Sequence, residues 1–470
     1  MSDSRHAWQT FALAAASIFM VSLDATVVVA AFPALRAHFP DASAPLLSWT
    51  LNAYTIVFAA LLVPAGQLVD QLGHRRCFLV AIAGFTLASA ACAFASSPAM
   101  LIAARVVQAV AAALVSPASL ALILSSFANE HRSRSAGLWS AVGALAAAMG
   151  PLIGSMLIQW FSWRMIFLIN LPIGLTVLGI GRLRMKEDQI SNEKQSFDAI
   201  GTLLLIFGVG CIAQGLAAAG PLASSSHATI LPLSIGVACL LGFLLHARGR
   251  PDSTLDLRLF ADSNYRWASA ATLVLGSAFG MMFLTFYLFF TGVWHYPQSM
   301  AGIAATPGPL LATLLAILVS KKQGQWGQRR LLTVGGVLFA LSNLWLALRI
   351  DPVPNYVGTW LPGQIISGIA IGLMLPSLAG AAVQNLKADR LGVGSAVNNA
   401  IRQLGSSLGV ALAVALAGNA LNNVEPFQRV YLCLVGTGVL IAALARLIKG
   451  VEGPKKQPVG SVKTENSGFR

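Results

Sequence analysis

Charge is scarce in this chain: only 10% of its 470 residues are Asp, Glu, Lys or Arg, and the acids number 17 against 31 bases. Hydrophobic residues make up 56%, and the mean hydropathy is +0.72. Soluble domains carry about 25% charged residues, so this composition places the chain in a bilayer. A membrane β-barrel is excluded too, because it reads as short alternating strands and the apolar runs here are long. The five cysteines (Cys77, Cys92, Cys211, Cys239 and Cys433) stand singly, with neither disulfide nor metal-ligand spacing, and read as small core residues. The seven histidines (residues 6, 38, 74, 131, 227, 246 and 295) fall in polar connections or at the ends of apolar runs. That leaves no intramembrane cluster for metal or hydrolytic chemistry. No Gly-rich phosphate loop is present either. No metal and no cofactor are expected, the chain does not read as an enzyme, and energy for any work must come from an ion gradient.

What is present is a succession of long apolar runs. Fourteen are legible, at roughly 9–33, 47–69, 77–96, 99–127, 136–160, 164–183, 199–219, 230–247, 266–292, 299–320, 331–349, 356–383, 392–418 and 427–448. About 20 such residues at ~1.5 Å rise cover a ~30 Å hydrocarbon layer. If the N-terminus is placed in the cytoplasm, 25 of the 31 Lys and Arg fall on the cytoplasmic side and four on the other (Arg36, Arg164, Arg349 and Arg429). The remaining two, Arg105 and Arg402, lie inside spans. This asymmetry is the positive-inside pattern, and it predicts that both termini are cytoplasmic. The net charge of +14 therefore answers to topology and anionic headgroups, and no nucleic-acid partner is implied. The first span is full length and lacks a small-residue cleavage pattern, so no cleavable signal peptide is expected.

The first span holds the residue around which the rest is organised. Asp24 sits inside FALAAASIFMVSLDATVVVAAFP (Phe11 to Pro33), and every other acid falls outside the hydrocarbon or at its edge. A carboxylate at that depth costs several kcal/mol by the milder scales, so it must face other helices with a partner or a proton. Arg105 is such a partner by depth. It lies about 10 Å into the fourth span, and Asp24 about 13 Å along the first, both measured from the same side. The arginine favours the ionised carboxylate and burial the protonated one.

An internal repeat is also legible. GHRR at Gly73 recurs as GQRR at Gly327, Gly150 and Gly154 recur as Gly405 and Gly409, and Pro117 recurs as Pro376. Two pseudo-symmetric six-helix bundles are predicted, with two helices inserted between them and a site at the interface. The expected divisions are 1–186, 187–250 (the inserted helices), 251–450 and a cytoplasmic tail at 451–470. The fold class is all-α: a polytopic membrane protein of fourteen transmembrane helices.

Five stretches, taken in order, resemble the major facilitator superfamily, and within it the fourteen-span drug:proton antiporter branch. They are LDATVVVAAFP at Leu23, GQLVDQLGHRR at Gly66, GALAAAMGPLIGS at Gly143, WRMIFLINLPIG at Trp163 and RQLGSSLG at Arg402. The resemblance covers nearly the whole chain. It implies a latch at the cytoplasmic loop between spans two and three, formed by Gly66, Asp70, Gly73, Arg75 and Arg76. Gln71 and His74 stand where the family usually has arginine. Gly324 occupies the Asp70 position of the second half, so the latch is one-sided. Gly150, Pro151 and Gly154 form the motif the family associates with antiport, a proline-bent helix with a small-residue face. Asn398, Arg402 and Gln403, together with Asn399, read as structural or gating groups of the second half. Phe283, Phe286 and Tyr287, within the helically spaced run Phe279 to Phe290, are a candidate substrate pocket; the alternative is a stripe facing lipid or core.

The resemblance implies proton-coupled export of small amphipathic or hydrophobic compounds by alternating access. Asp24 and Arg105 would be the proton-coupling pair, in a monomer in the inner or plasma membrane, its partners being a small-molecule substrate, protons and lipid. The other readings are a dedicated exporter or importer of an endogenous metabolite on the same fold, and a transport-inactive sensor. With a single membrane carboxylate, neutral, zwitterionic or singly charged substrates are expected over divalent cations.

Overall fold

The computed structural model describes residues 2–127, 129–185, 198–218, 226–250, 253–386, 391–417 and 422–449, with side chains for all of these but 2–6, 70, 129–134, 136–137, 226, 320–325 and 391–392. The described chain is helical throughout. The helices are α1 (Ser2–His38), α2 (Ala44–Leu72), α3 (His74–Ala93), α4 (Pro98–Ser126), α5 (Asn129–Trp160), α6 (Met165–Leu168), α7 (Asn170–Arg184), α8 (Ala199–Ala218) and α9 (Ser226–Ala247). After a 3₁₀ turn at Leu257–Ala261 come α10 (Ser263–Gly292), α11 (Gln298–Ala305), α12 (Pro307–Trp326) and α13 (Gln328–Arg349). A π turn at Tyr356–Trp360 leads into α14 (Leu361–Val383), followed by α15 (Leu391–Ala417) and α16 (Glu425–Ala445). They form fourteen segments long and apolar enough to cross a membrane. Helices are the natural solution here, because in lipid each backbone N–H and C=O must be satisfied within its own segment.

Short polar signals set the boundaries. Ser43 accepts from Leu46 N ahead of α2, Ser97 from Met100 N ahead of α4, and Asp262 from Tyr265 N ahead of α10. Such caps satisfy N–H groups that the first helical turn leaves free. Gly73 and Gly327 end the second span of each half at φ +92° and +78°. Both are left-handed conformations that only glycine adopts without strain, so the GHRR and GQRR repeats share a backbone conformation as well as a sequence.

Three details depart from the continuous spans expected. The first helix runs through Pro33 to His38 instead of ending at the proline. The sixth span breaks at Ile169, between α6 and α7. The tenth breaks at Thr306, which keeps helical dihedrals; Pro307 lacks the N–H that would continue the hydrogen-bond ladder, and it starts a new helix.

The two halves pack alike. In the first, α1 crosses α5 while α4 packs on α2 and α3; in the second, α10 crosses α15 while α14 packs on α12 and α13. The inserted helices α8 and α9 pair with each other, and α8 lies against both α2 and α15, along the seam between the halves. The indole of Trp49 on α2 donates to Gln214 on α8. The halves also touch directly near the end of the bundle remote from the N-terminus. There Gln298 donates to the Ala30 carbonyl, Ser299 N donates to Gln159 Oε1 (2.7 Å), and Ser155 Oγ lies 3.3 Å from Tyr287 Oη. Deeper in, Ser407 Oγ donates to Asn52 Oδ1 (3.0 Å).

Asp198 fastens the inserted pair at the opposite end. Its carboxylate accepts from Gly201 N and Thr254 N, both at 2.9 Å, and meets His246 Nε2 at 2.8 Å. Burial alone would push this carboxyl up, but the two backbone N–H groups and His246 outweigh it and hold it below its ordinary value of 3.8. The folded state thus favours the ionised acid. That stability is fully present above the unfolded carboxyl's range and is lost as pH falls through the lower folded value. Asp198→Ala is expected to cost about 1.5–3 kcal/mol at neutral pH, the range for hydrogen bonds to charged groups. Thermal unfolding against pH checks this: a gap from wild type that does not narrow on acidification would refute it.

Candidate functional site

Asp24 and Arg105 meet at the centre of the first half. Both are fully buried, and Arg105 Nη1 lies 2.5 Å from Asp24 Oδ2. The other carboxylate oxygen, Oδ1, accepts from Gln108 Nε2 and Asn170 Nδ2, each at 2.9 Å. The arginine is held in turn: its Nε donates to the Thr50 carbonyl (3.1 Å), and the same Nη1 also donates to Gln108 Oε1 (2.7 Å). Ser89 Oγ accepts from Gln108 at 2.7 Å and from Asn170 at 3.2 Å. The guanidinium lies over the Tyr54 ring, 4.0 Å from its centroid, a cation–π arrangement. One buried ion pair is therefore bound by polar groups from α1, α2, α3, α4 and α7. Every one of these groups is neutral apart from the pair itself.

Gln108, Asn170, Ser89 and Tyr54 were not singled out from the sequence. Two signals were available. Gln108 stands three residues after Arg105 and so on the same helix face, and Asn170 is the one side-chain amide within the WRMIFLINLPIG stretch.

The remaining candidates fall elsewhere. Gly73 holds its positive φ, and Arg75 Nη2 donates to the Arg182 carbonyl (3.0 Å), tying the loop between α2 and α3 to the end of α7. Arg76 is exposed, and a methyl on Gly66 would meet only Pro117 at an ordinary 3.9 Å. The Asp70 side chain lies outside the described residues. A methyl on Gly150 would overlap the Thr26 hydroxyl, and one on Gly154 would press on Val27, so these glycines set the closeness of the α1–α5 crossing. The Pro151 carbonyl accepts from Ser155 Oγ at 2.7 Å.

The aromatic trio separates. Phe283 and Phe286 line a cavity of about 20 Å³ with Phe279 and Gln364, whereas Tyr287 sits at the contact with Ser155 of the other half. A space of that size suits a water molecule; drug-sized ligands need ~300 Å³ or more. A larger cavity, of about 140 Å³, lies within the second half against Asn398, Asn399 and Arg402. Gln403, its neighbour, is half-buried and off its wall.

Two helical halves meeting along a seam, with a buried ion pair bridging the α1 and α4 spans, define a polytopic membrane transporter. The Major Facilitator Superfamily profile matches residues 14–410 and again 268–470, and the chain belongs to that family. Members of this family handle small-molecule substrates. The multidrug resistance protein Stp of Mycobacterium tuberculosis is 31% identical over 397 residues, covering 84% of this chain and 73% of its own length. The puromycin resistance protein pur8 of Streptomyces alboniger is 32% identical over 417 residues, covering 87% and 81%. In fold, the chain is similar to the partially occluded, inward-open xylose transporter XylE from E. coli (TM-score 0.66, 11% identity, 96% of this chain and 99% of that one).

Proposed function

We propose that the protein exports small amphipathic or hydrophobic compounds in exchange for protons, by alternating access between its two six-helix halves. The observation that carries this reading is Asp24: an acid with no exposure to solvent, paired with one arginine and otherwise held by neutral donors. A proton arriving at Asp24 cancels one charge of the pair and leaves Arg105 uncompensated in a low-dielectric interior, which is costly. Relief comes when Arg105 or Asp24 is re-exposed by rocking of the halves, and so proton binding is tied to a change of access. Export of drug-like compounds is supported by the names of the relatives, which are resistance proteins.

In this reading residues 1–186 and 251–450 are the rocking halves, 187–250 the inserted pair, and 451–470 a cytoplasmic tail. The protein acts as a monomer in the inner or plasma membrane, with both termini in the cytoplasm. The contacts joining α1 and α5 to α10 and α11 then close the outer face, so the site is loaded from inside. The latch residues Gly66, Asp70, Gly73, Arg75 and Arg76 lie at the cytoplasmic end, where Arg75 already grips α7. The Gly150–Pro151–Gly154 turn holds the α1–α5 crossing that carries Asp24.

Two experiments test this. Reporter fusions at Ser2 and Arg470 are expected to report from the cytoplasm; signals from opposite sides would overturn the topology. Expression in a pump-deleted strain is expected to raise tolerance to a subset of a broad toxic-compound panel, and purified protein in liposomes should move protons when a protecting compound is added. Tolerance without coupled proton movement would sink the antiport mechanism.

A further inference from the structure

The 140 Å³ cavity in the second half holds a charge that no acid among the described residues answers. It is bounded by Thr272 and Leu275 of α10, Leu375 and Leu378 of α14, and Asn398 and Arg402 of α15. Arg402 is half-buried and donates from Nη2 to Asn399 Oδ1 (2.6 Å), a neutral acceptor; among the described residues no carboxylate pairs with it. Leu391 opens α15, and at ~1.5 Å per residue Arg402 stands about 16 Å along it, near mid-bilayer. Arg105, by contrast, is neutralised by Asp24. The described interior of the two halves thus holds one neutral pair and one lone cation.

A guanidinium at that depth is costly unless something pairs with it, and such residues mark ligand paths by default. The walls say what would pair. Leu275, Leu375 and Leu378 offer an apolar surface, while Asn398, which donates to Thr272 Oγ1 at 3.2 Å, and Asn399 place amide groups beside the cation. The planar guanidinium fork matches a planar or trigonal oxyanion through two parallel hydrogen bonds. The volume is close to the ~150 Å³ that holds a benzene ring. The backbone of Arg402 is fixed independently of its side chain, since Gly276 of α10 rests against its carbonyl. Helix packing therefore does not account for the charge.

We propose that Arg402, with Asn398 and Asn399, forms the subsite for the anionic group of an organic acid, whose single ring or short apolar body packs on Leu275, Leu375 and Leu378. The proposal rests on the transporter reading only in treating the ligand as cargo, and it reassigns Arg402 from a structural group to a specificity-determining one.

The test is equilibrium dialysis of the purified full-length protein in detergent, with no gradient, using benzenesulfonate and its neutral partner benzenesulfonamide. Wild type is expected to prefer the sulfonate by about tenfold, the scale of one charge-assisted contact. Arg402→Gln should bring the two affinities within about twofold while sulfonamide binding persists, which also certifies folding; Arg402→Lys should keep part of the preference. Equal binding by wild type, or a preference that survives in Arg402→Gln, overturns the proposal. Should Arg402→Gln bind neither probe, Ala379→Trp decides: it fills the same cavity from α14, and sulfonate binding that persists in it places the site elsewhere. Failure of wild type to pump uphill, with this preference intact, would remove the exporter reading and leave the subsite standing.

Discussion

Asp24→Asn is expected to abolish uphill efflux and substrate-driven proton movement, while downhill exchange of substrate remains measurable. Asparagine preserves the shape of the side chain and an oxygen for Gln108 or Asn170 to meet, but it cannot take up or release a proton. It also strands Arg105, which lies fully buried with Asp24 as its counter-charge. Breaking a buried pair by removing one partner costs about 3–5 kcal/mol, so a fall in yield is expected alongside the loss of coupling. The double variant Asp24→Asn, Arg105→Gln separates the two effects. Removing both charges leaves no uncompensated ion, and replacing both partners of a buried pair is often close to neutral. Its stability is therefore expected to return toward wild type while uphill efflux stays absent. The measurement is efflux from proteoliposomes under an imposed pH gradient, matched for reconstituted protein. Wild-type pumping by either variant would mean that the proton is carried elsewhere; a double variant no more stable than Asp24→Asn would mean that the network, and not the pair, holds the site together.

The meeting of Asp24 and Arg105 was legible because charge in a span is rare and depth can be counted. Two ions on neighbouring helices, each about a third of the way in from the same side, have few other partners available. The neutral shell was not legible in the same way. Spans tolerate many Ser, Thr, Asn and Gln residues, and only the tertiary arrangement says that Asn170 of α7 reaches the carboxylate and that Ser89 of α3 accepts from Asn170. The fourteen spans and the repeat were readable because lipid imposes one solution on any long apolar run. The breaks at Ile169 and Thr306 were not. A run stays apolar on average across a break, and although Pro307 carries a local signal, the surrounding residues mask it. The aromatic run left two readings open for a related reason: helical spacing puts Phe283, Phe286 and Tyr287 on one helix, but the neighbouring helices decide that the first two line a cavity with Gln364 while Tyr287 meets Ser155. Arg402 shows the limit of motif reading. Its stretch resembles a family-wide pattern, and only the cavity beside it distinguishes a packing group from a ligand group.

That cavity depends on how closely α10 and α15 cross, and the crossing yields the second large effect. The helices meet glycine to backbone: Gly276 and Gly280 of α10 lie against the carbonyls of Arg402 and Ser406, and Gly405 and Gly409 of α15 against those of Leu273 and Ser277. A methyl on Gly409 would overlap the Ser277 carbonyl and approach its carbon at 2.7 Å and Met281 N at 2.9 Å. These are backbone atoms, which no rotamer change moves aside, so the helices must separate. Overpacking of this kind costs about 1–3 kcal/mol, occasionally more, and here it also widens the seam beside Arg402. Gly409→Ala is expected to lower the thermal stability of the purified protein sharply and to reduce efflux in proportion to the folded fraction. Gly436→Ala is the control: nothing lies within 4 Å of the added methyl, so only the helix preference changes. That change favours alanine by roughly 0.5–1 kcal/mol, and stability is expected to hold or rise. If both alanine variants melt with wild type, the two helices do not cross as closely as these contacts require, and the geometry of the Arg402 cavity falls with the crossing.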